Sequence, residues 1–106
     1  MKSIELIKSL EKEFNKHSNP SIAISQKLYM RNQFEFFGLT ANKRREIQKT
    51  FFQNLEINDL NKFIYELWNL NKRDYQYLGQ ELLYSNHKNF KVGDIKLIEY
   101  MINRAL

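Results

Sequence analysis

Leu60-Asn61-Lys62-Phe63-Ile64-Tyr65-Glu66-Leu67-Trp68 places apolar side chains at positions 60, 63, 64, 67 and 68. This i, i+3, i+4, i+7, i+8 spacing draws one stripe down a helix, whereas a strand would alternate with period two. Outward from it the same period recurs. Toward the C-terminus, residues 72–85 carry Tyr75, Leu78, Gly79 and Leu82 on one side and Tyr77 and Tyr84 nearly opposite, so this helix needs neighbours on both sides. A last helix opening at Asp94 carries Ile95, Leu97, Ile98, Met101, Ile102, Ala105 and Leu106. Toward the N-terminus, a helix starting at Thr40 carries Ile47, Phe51, Phe52 and Leu55, and the apolar link Phe34-Glu35-Phe36-Phe37-Gly38 leads into it. Asn19-Pro20 opens a helix that fades near Asn32, since Asn caps and Pro suits the first helical position. The first helix runs from Ser3 to Lys16, with Leu6, Ile7, Leu10 and Phe14 on one face.

The expected fold is therefore all-α, with about six helices in antiparallel pairs, in one domain over residues 1–106. Starts near residues 3, 40 and 72 set three helical hairpins at a spacing that suits a solenoid of stacked pairs. An unrelated six-helix bundle has the same content of elements. Helical periodicity persists to Leu106 without Gly, Asn or Pro to stop it. Terminal repeats carry a polar outer face, so the last helix is expected to meet a following partner.

Composition removes whole classes of function. At 42% hydrophobic and 27% charged, the chain can bury a core and is not a disordered segment. No apolar run reaches the roughly 18 residues of a membrane span, and Glu5 comes too early for a signal peptide, which points to a cytoplasmic protein with no membrane partner. Without cysteine there are no disulfides, thiol nucleophiles or thiolate metal sites, and His17 and His87 are too isolated to hold zinc. Three Gly and one Pro leave no phosphate-cradling loop. Neither histidine is assigned catalysis: His17 sits near a helix end, where a C-terminal dipole favours it, and His87 lies in a loop. The acids fall mostly on polar helix faces, where a solvated role is expected.

Seventeen Lys and Arg against 12 Asp and Glu give a net charge of +5. Twelve of those cations are Lys beside 12 Asn and 10 Ile, a compositional bias that weakens total charge as evidence. Distribution is more telling, because residues 27–49 hold six cations against two acids. At their centre lies Thr40-Ala41-Asn42-Lys43-Arg44-Arg45. Cations in the first turn of a helix oppose its dipole at a cost of about 0.3–1 kcal/mol each, and a bound phosphate reverses that sign. The helical wheel divides the cluster. With Ile47 at zero, Arg44 falls near ~60°, among the apolar positions, while Arg45 near ~160° and Lys49 near ~200° face outward. Arg44 thus has a second reading, an ion pair with a neighbouring helix. Lys27 and Arg31, one turn apart on the second helix, either extend the same phosphate-facing surface as Lys43, Arg44, Arg45 and Lys49 or form an ordinary solvated face. Most of the eight Phe, six Tyr and one Trp sit at core spacing. Tyr29 stands apart, beside Arg31 at a helix end, where a phenol can meet a base or sugar while cations hold the backbone.

Tyr29-Met30-Arg31-Asn32-Gln33-Phe34-Glu35-Phe36-Phe37-Gly38-Leu39, then Lys43-Arg44-Arg45, then Leu67-Trp68-Asn69-Leu70 with Arg73-Asp74-Tyr75-Gln76, resembles the opening portion of the AlkD-like DNA alkylation repair proteins. The resemblance covers about Leu6 to Leu106. It departs at Asn42 and Asn71, where relatives often have Pro. It implies a HEAT-like helical solenoid and a DNA glycosylase acting on N3- and N7-alkylated purines in duplex DNA, with no metal or redox cofactor. It implies that Tyr29 is the substrate-binding tyrosine beside the damaged nucleotide, and that Arg44 and Arg45 are the paired basic positions. The substrate base is already a cationic leaving group, aromatic faces attract it, and a carboxylate stabilises the positive sugar. In relatives a Trp-rich segment and the catalytic Asp follow the stretch that matches Ile98 to Leu106, so the expectation here is an N-terminal half or truncated member without that acid. Asp94 and Glu99 match neither its position nor its context, and no catalytic residue is assigned. The alternative is a protein-binding helical scaffold, self-associating through its last helix.

Overall fold

The computed structural model describes residues 3–52, 59–85 and 92–105. Among them six helices follow one another and no strand forms: α1 (Ser3–Lys16), α2 (Pro20–Tyr29), α3 (Ala41–Phe52), α4 (Leu60–Trp68), α5 (Arg73–Ser85) and α6 (Val92–Ala105). The all-α reading holds. α2 ends at Tyr29 and not near Asn32, because Arg31 and Asn32 adopt left-handed backbone with φ of 55° and 60°. Arg31 consequently stands beyond the helix, not one turn above Lys27 on it. Leu55, His87 and Leu106 lie outside the described residues.

The helix starts are set by side chains that accept otherwise unpaired backbone N–H groups. Asn19 Oδ1 accepts from Ser21 at 2.9 Å and Ile22 at 3.3 Å ahead of α2. Thr40 Oγ1 accepts from Lys43 at 3.1 Å ahead of α3, and Asp59 Oδ1 from Lys62 at 3.1 Å ahead of α4.

The stripe of α4 is divided between two cores. Phe63 and Leu67 join Leu6, Leu10, Phe14, Phe37, Leu39, Ile47, Tyr75 and Leu78, whereas Ile64 and Trp68 join Leu97 and Met101. α4 accordingly packs along α5 and against α6, and α1 packs against α3. Gln76 Nε2 donates to the carbonyls of Leu67 at 3.2 Å and Leu70 at 2.9 Å, which satisfies acceptors left open at the end of α4. No described helix is long and apolar enough to cross a membrane.

Phe36, Phe37 and Leu39 bury the link between α2 and α3, and the rings of Phe14, Phe37 and Tyr75 meet at 5.4–5.9 Å. Backbone polarity inside this link is satisfied by α5. Asp74, 1% exposed, accepts the Phe37 N–H at 2.8 Å, and the Arg73 N–H donates to the Glu35 carbonyl at 2.8 Å. Burial raises the Asp74 carboxyl above its ordinary value, against the opposing pull of the Phe37 N–H. Gly38 has φ of 90°, and its carbonyl accepts the Asn19 N–H at 3.1 Å. A Cβ there would overlap the Asn19 carbonyl, so only glycine fits.

Candidate nucleic-acid interface

Thr40 fixes the first turn of α3, and that turn sorts the basic cluster. Arg44 is 7% exposed, as its place on the wheel requires. Its Nη2 donates to Glu81 Oε1 on α5 at 2.9 Å, and its Nε donates to Gln48 Oε1 at 3.2 Å. Gln48 Nε2 in turn donates to Glu81 Oε2. The guanidinium also lies 4.9 Å from the centroid of the Tyr77 ring, which is the neighbour that Tyr77's side of α5 requires. Arg44 thus joins α3 to α5 from inside.

Its neighbours face out. Arg45 Nε reaches Glu81 Oε1 at 3.3 Å, yet 63% of that side chain stays exposed. Lys43 Nζ lies 3.4 Å from Glu46 Oε2, also at the surface. Lys49 is exposed and pairs with no described residue. Two exposed cations, Lys43 and Arg45, therefore meet Glu46 and Glu81 around the amino half of α3, and exposed pairs of this kind are weak enough to be exchanged for an external anion. Below them, Glu13, His17, Lys43, Glu46, Ile47, Thr50 and Phe51 line a cleft between α1 and α3, with His17 Nε2 3.6 Å from Glu13.

At the end of α2, Lys27 Nζ donates to Glu35 Oε1 at 2.8 Å and holds that carboxyl below its ordinary value. Gln26 Nε2 donates to the Leu39 carbonyl at 2.8 Å, which ties this end to the segment that enters α3. Tyr29, the last residue of α2, is 87% exposed and its ring meets no described residue. Arg31 is exposed beyond it. The structure therefore keeps Tyr29, Lys27 and Arg31 on the surface of one helix end and Lys43, Arg45 and Lys49 on the surface of α3, and it withdraws Arg44.

A larger groove of about 590 Å³ opens between α5 and α6 over Trp68, lined by Leu83, Tyr84, Ile98, Met101 and Ile102, with Glu81 at its edge. Glu81 is the residue that sequence reasoning passed over. Its one signal was indirect: an arginine on a buried face requires an acid, and that acid came from a helix 37 positions away.

Fold and site together define an all-helical protein with exposed cations along the outer face of α3 and at the end of α2. Residues 10–105 match the family described as DNA alkylation repair enzyme, and the chain belongs to that family. A comparison with curated proteins gives no match.

Proposed function

We propose that this chain binds the phosphate backbone of duplex DNA through Lys43, Arg45 and Lys49, with Lys27 and Arg31 flanking, and that Tyr29 offers its exposed ring to a base or sugar. The observation that carries this is the sorting of the α3 cluster. Glu81 accounts for Arg44, but Lys43 and Arg45 keep exposed cations beside the positive end of the α3 dipole, held only by weak surface pairs, and Lys49 adds an exposed cation in the last turn. DNA phosphate compensates both. Replacing Lys43 and Lys49 together with Gln is expected to weaken binding to unmodified and alkylated duplexes alike and to reduce its salt slope by about one per lost phosphate contact. Unchanged affinity in that variant would contradict the proposal.

Excision of alkylated purines is the activity that family membership suggests, and it needs a carboxylate free to face the sugar. Glu81, the one acid lining the apolar groove, is held by Arg44, Arg45 and Gln48. No acid of this chain matches the family's catalytic position, so its residues are assigned to backbone binding, and incubation with methylated duplex is expected to release no 7-methylguanine. A second reading rests on the groove itself, whose Trp68, Leu83, Tyr84, Ile98 and Ile102 suit a second copy of this chain. It predicts concentration-dependent sedimentation that duplex DNA leaves unchanged.

A further inference from the structure

Arg73 opens α5, is 8% exposed, and faces no acid. Its guanidinium lies 4.3 Å from the centroid of Phe34, 5.4 Å from Tyr77 and 5.7 Å from Trp68, an aromatic enclosure on three sides. Its Nε is buried with no hydrogen-bond partner, and no side-chain or backbone oxygen of the described residues accepts from the guanidinium. Aromatic faces offset part of the cost of burying a cation, but they do not satisfy its five N–H donors. Asp74, adjacent in sequence, is spent on the Phe37 N–H.

Arg73 lines a cleft of about 410 Å³ formed where the ends of α4 and α6 meet the start of α5. Arg104 of α6 lines the same cleft, positioned 5.3 Å over the Tyr100 ring. Tyr100 is itself fixed, since its hydroxyl donates to Asn69 Oδ1 at 2.6 Å and Asn69 Nδ2 donates to the Tyr65 carbonyl at 2.9 Å. Asn71 and Asn103 complete the wall, and neither carboxamide has a partner among the described residues. Two guanidinium groups and two uncommitted carboxamides thus line one cleft whose lining holds no carboxylate.

We propose that this cleft is a binding site for a phosphate-class oxyanion, held by Arg73 and Arg104 with Asn71 and Asn103 donating from the rim. Planar guanidinium forks match such oxyanions, and an enclosed arginine with unspent donors is preorganised for one. The site is separate from the outward cations Lys43, Arg45 and Lys49 on α3: Glu81 and Arg73 stand eight positions apart on α5, about 12 Å along the helix axis.

Trp68 is the single tryptophan of the chain and lines the cleft, so its emission reports occupancy directly. The experiment titrates the full chain with inorganic phosphate at constant ionic strength and follows Trp68 fluorescence. A saturable change, absent with chloride, is expected. Arg104→Gln, at an exposed position, is expected to weaken phosphate about tenfold. Lys43→Gln with Lys49→Gln is expected to leave the phosphate response unchanged, which keeps this site's failure distinct from failure of the DNA-backbone surface. A non-saturating response, or equal phosphate affinity in Arg104→Gln, overturns the proposal, and neither depends on the buried Arg73 being replaceable. The source of the oxyanion follows from competition: displacement of phosphate by a duplex without terminal phosphates assigns the site to the DNA backbone, and phosphate binding undiminished by that duplex assigns it to free phosphate or a mononucleotide.

Discussion

Arg44 and Arg45 are adjacent in sequence and share one acceptor oxygen of Glu81, at 2.9 and 3.3 Å, yet the first is buried and the second is at the surface. The energetic consequences differ accordingly. Removing the acid strands the buried guanidinium, so Glu81→Ala is expected to cost about 2–4 kcal/mol in urea unfolding, whereas Arg45→Ala is expected to cost under about 1 kcal/mol. Asp74 is a second buried group with a single task. Asp74→Ala leaves the Phe37 N–H without an acceptor and is expected to cost about 1–3 kcal/mol, while Asp74→Asn keeps an acceptor and recovers most of it. The two perturbed carboxyls have opposite pH signatures. Asp74 is raised, so its contribution to stability falls as pH rises from the ordinary 3.8 through its higher folded value, and Asp74→Asn should flatten that window. Glu35 is lowered by Lys27, so its contribution is present above the ordinary 4.5 and is lost as pH falls through the lower folded value. An NMR titration of Lys27→Met should return the Glu35 carboxyl to that ordinary range, and an unmoved carboxyl would contradict the pairing. At this scale the sequence was half legible: the wheel turns Arg44 inward, but no spacing rule links it to Glu81, because tertiary pairing has no local period.

Elements were more legible than their junctions. Leu60, Phe63, Ile64, Leu67 and Trp68 announce α4, and Asn19-Pro20 and Thr40 announce the starts of α2 and α3, since capping is local chemistry. α2 ends three residues before Asn32 because left-handed backbone begins at Arg31, where the side chain gives no signal for it, and continues at Asn32, a residue type that favours it. The link after it is a device of the whole fold: Phe37 is paired by Asp74, Glu35 by Arg73, and Gly38 by Asn19, each from a distant stretch. Gly38→Ala combines a positive φ with overlap against the Asn19 carbonyl. It is expected to destabilise the chain by about 2 kcal/mol or more, visible as a lowered thermal midpoint, because backbone at that contact has nowhere to retreat. An unchanged midpoint would show that the α1–α2 junction yields.

Across the whole molecule, the +5 charge is partitioned by packing and not spread evenly. Arg44 and Arg73 are both drawn inside against Tyr77 and help hold α3, α5 and the link together. Lys43, Arg45 and Lys49 stay outside on α3, and Lys27 and Arg31 stay outside at the end of α2. Family membership was legible because three motif blocks keep their order and spacing. The Arg73 enclosure was not, since only Tyr77, four residues on in α5, is local to it, and Phe34 and Trp68 reach it from two other segments. The central claim is that the outward cations hold DNA phosphate. Titrating a fluorescently labelled duplex with the full chain at a series of salt concentrations tests it most directly. The account predicts a straight fall of log K with log salt, of slope about −0.9 for each phosphate engaged, and a shallower slope once Lys43 and Lys49 are replaced with Gln. Binding that is indifferent to salt would contradict it.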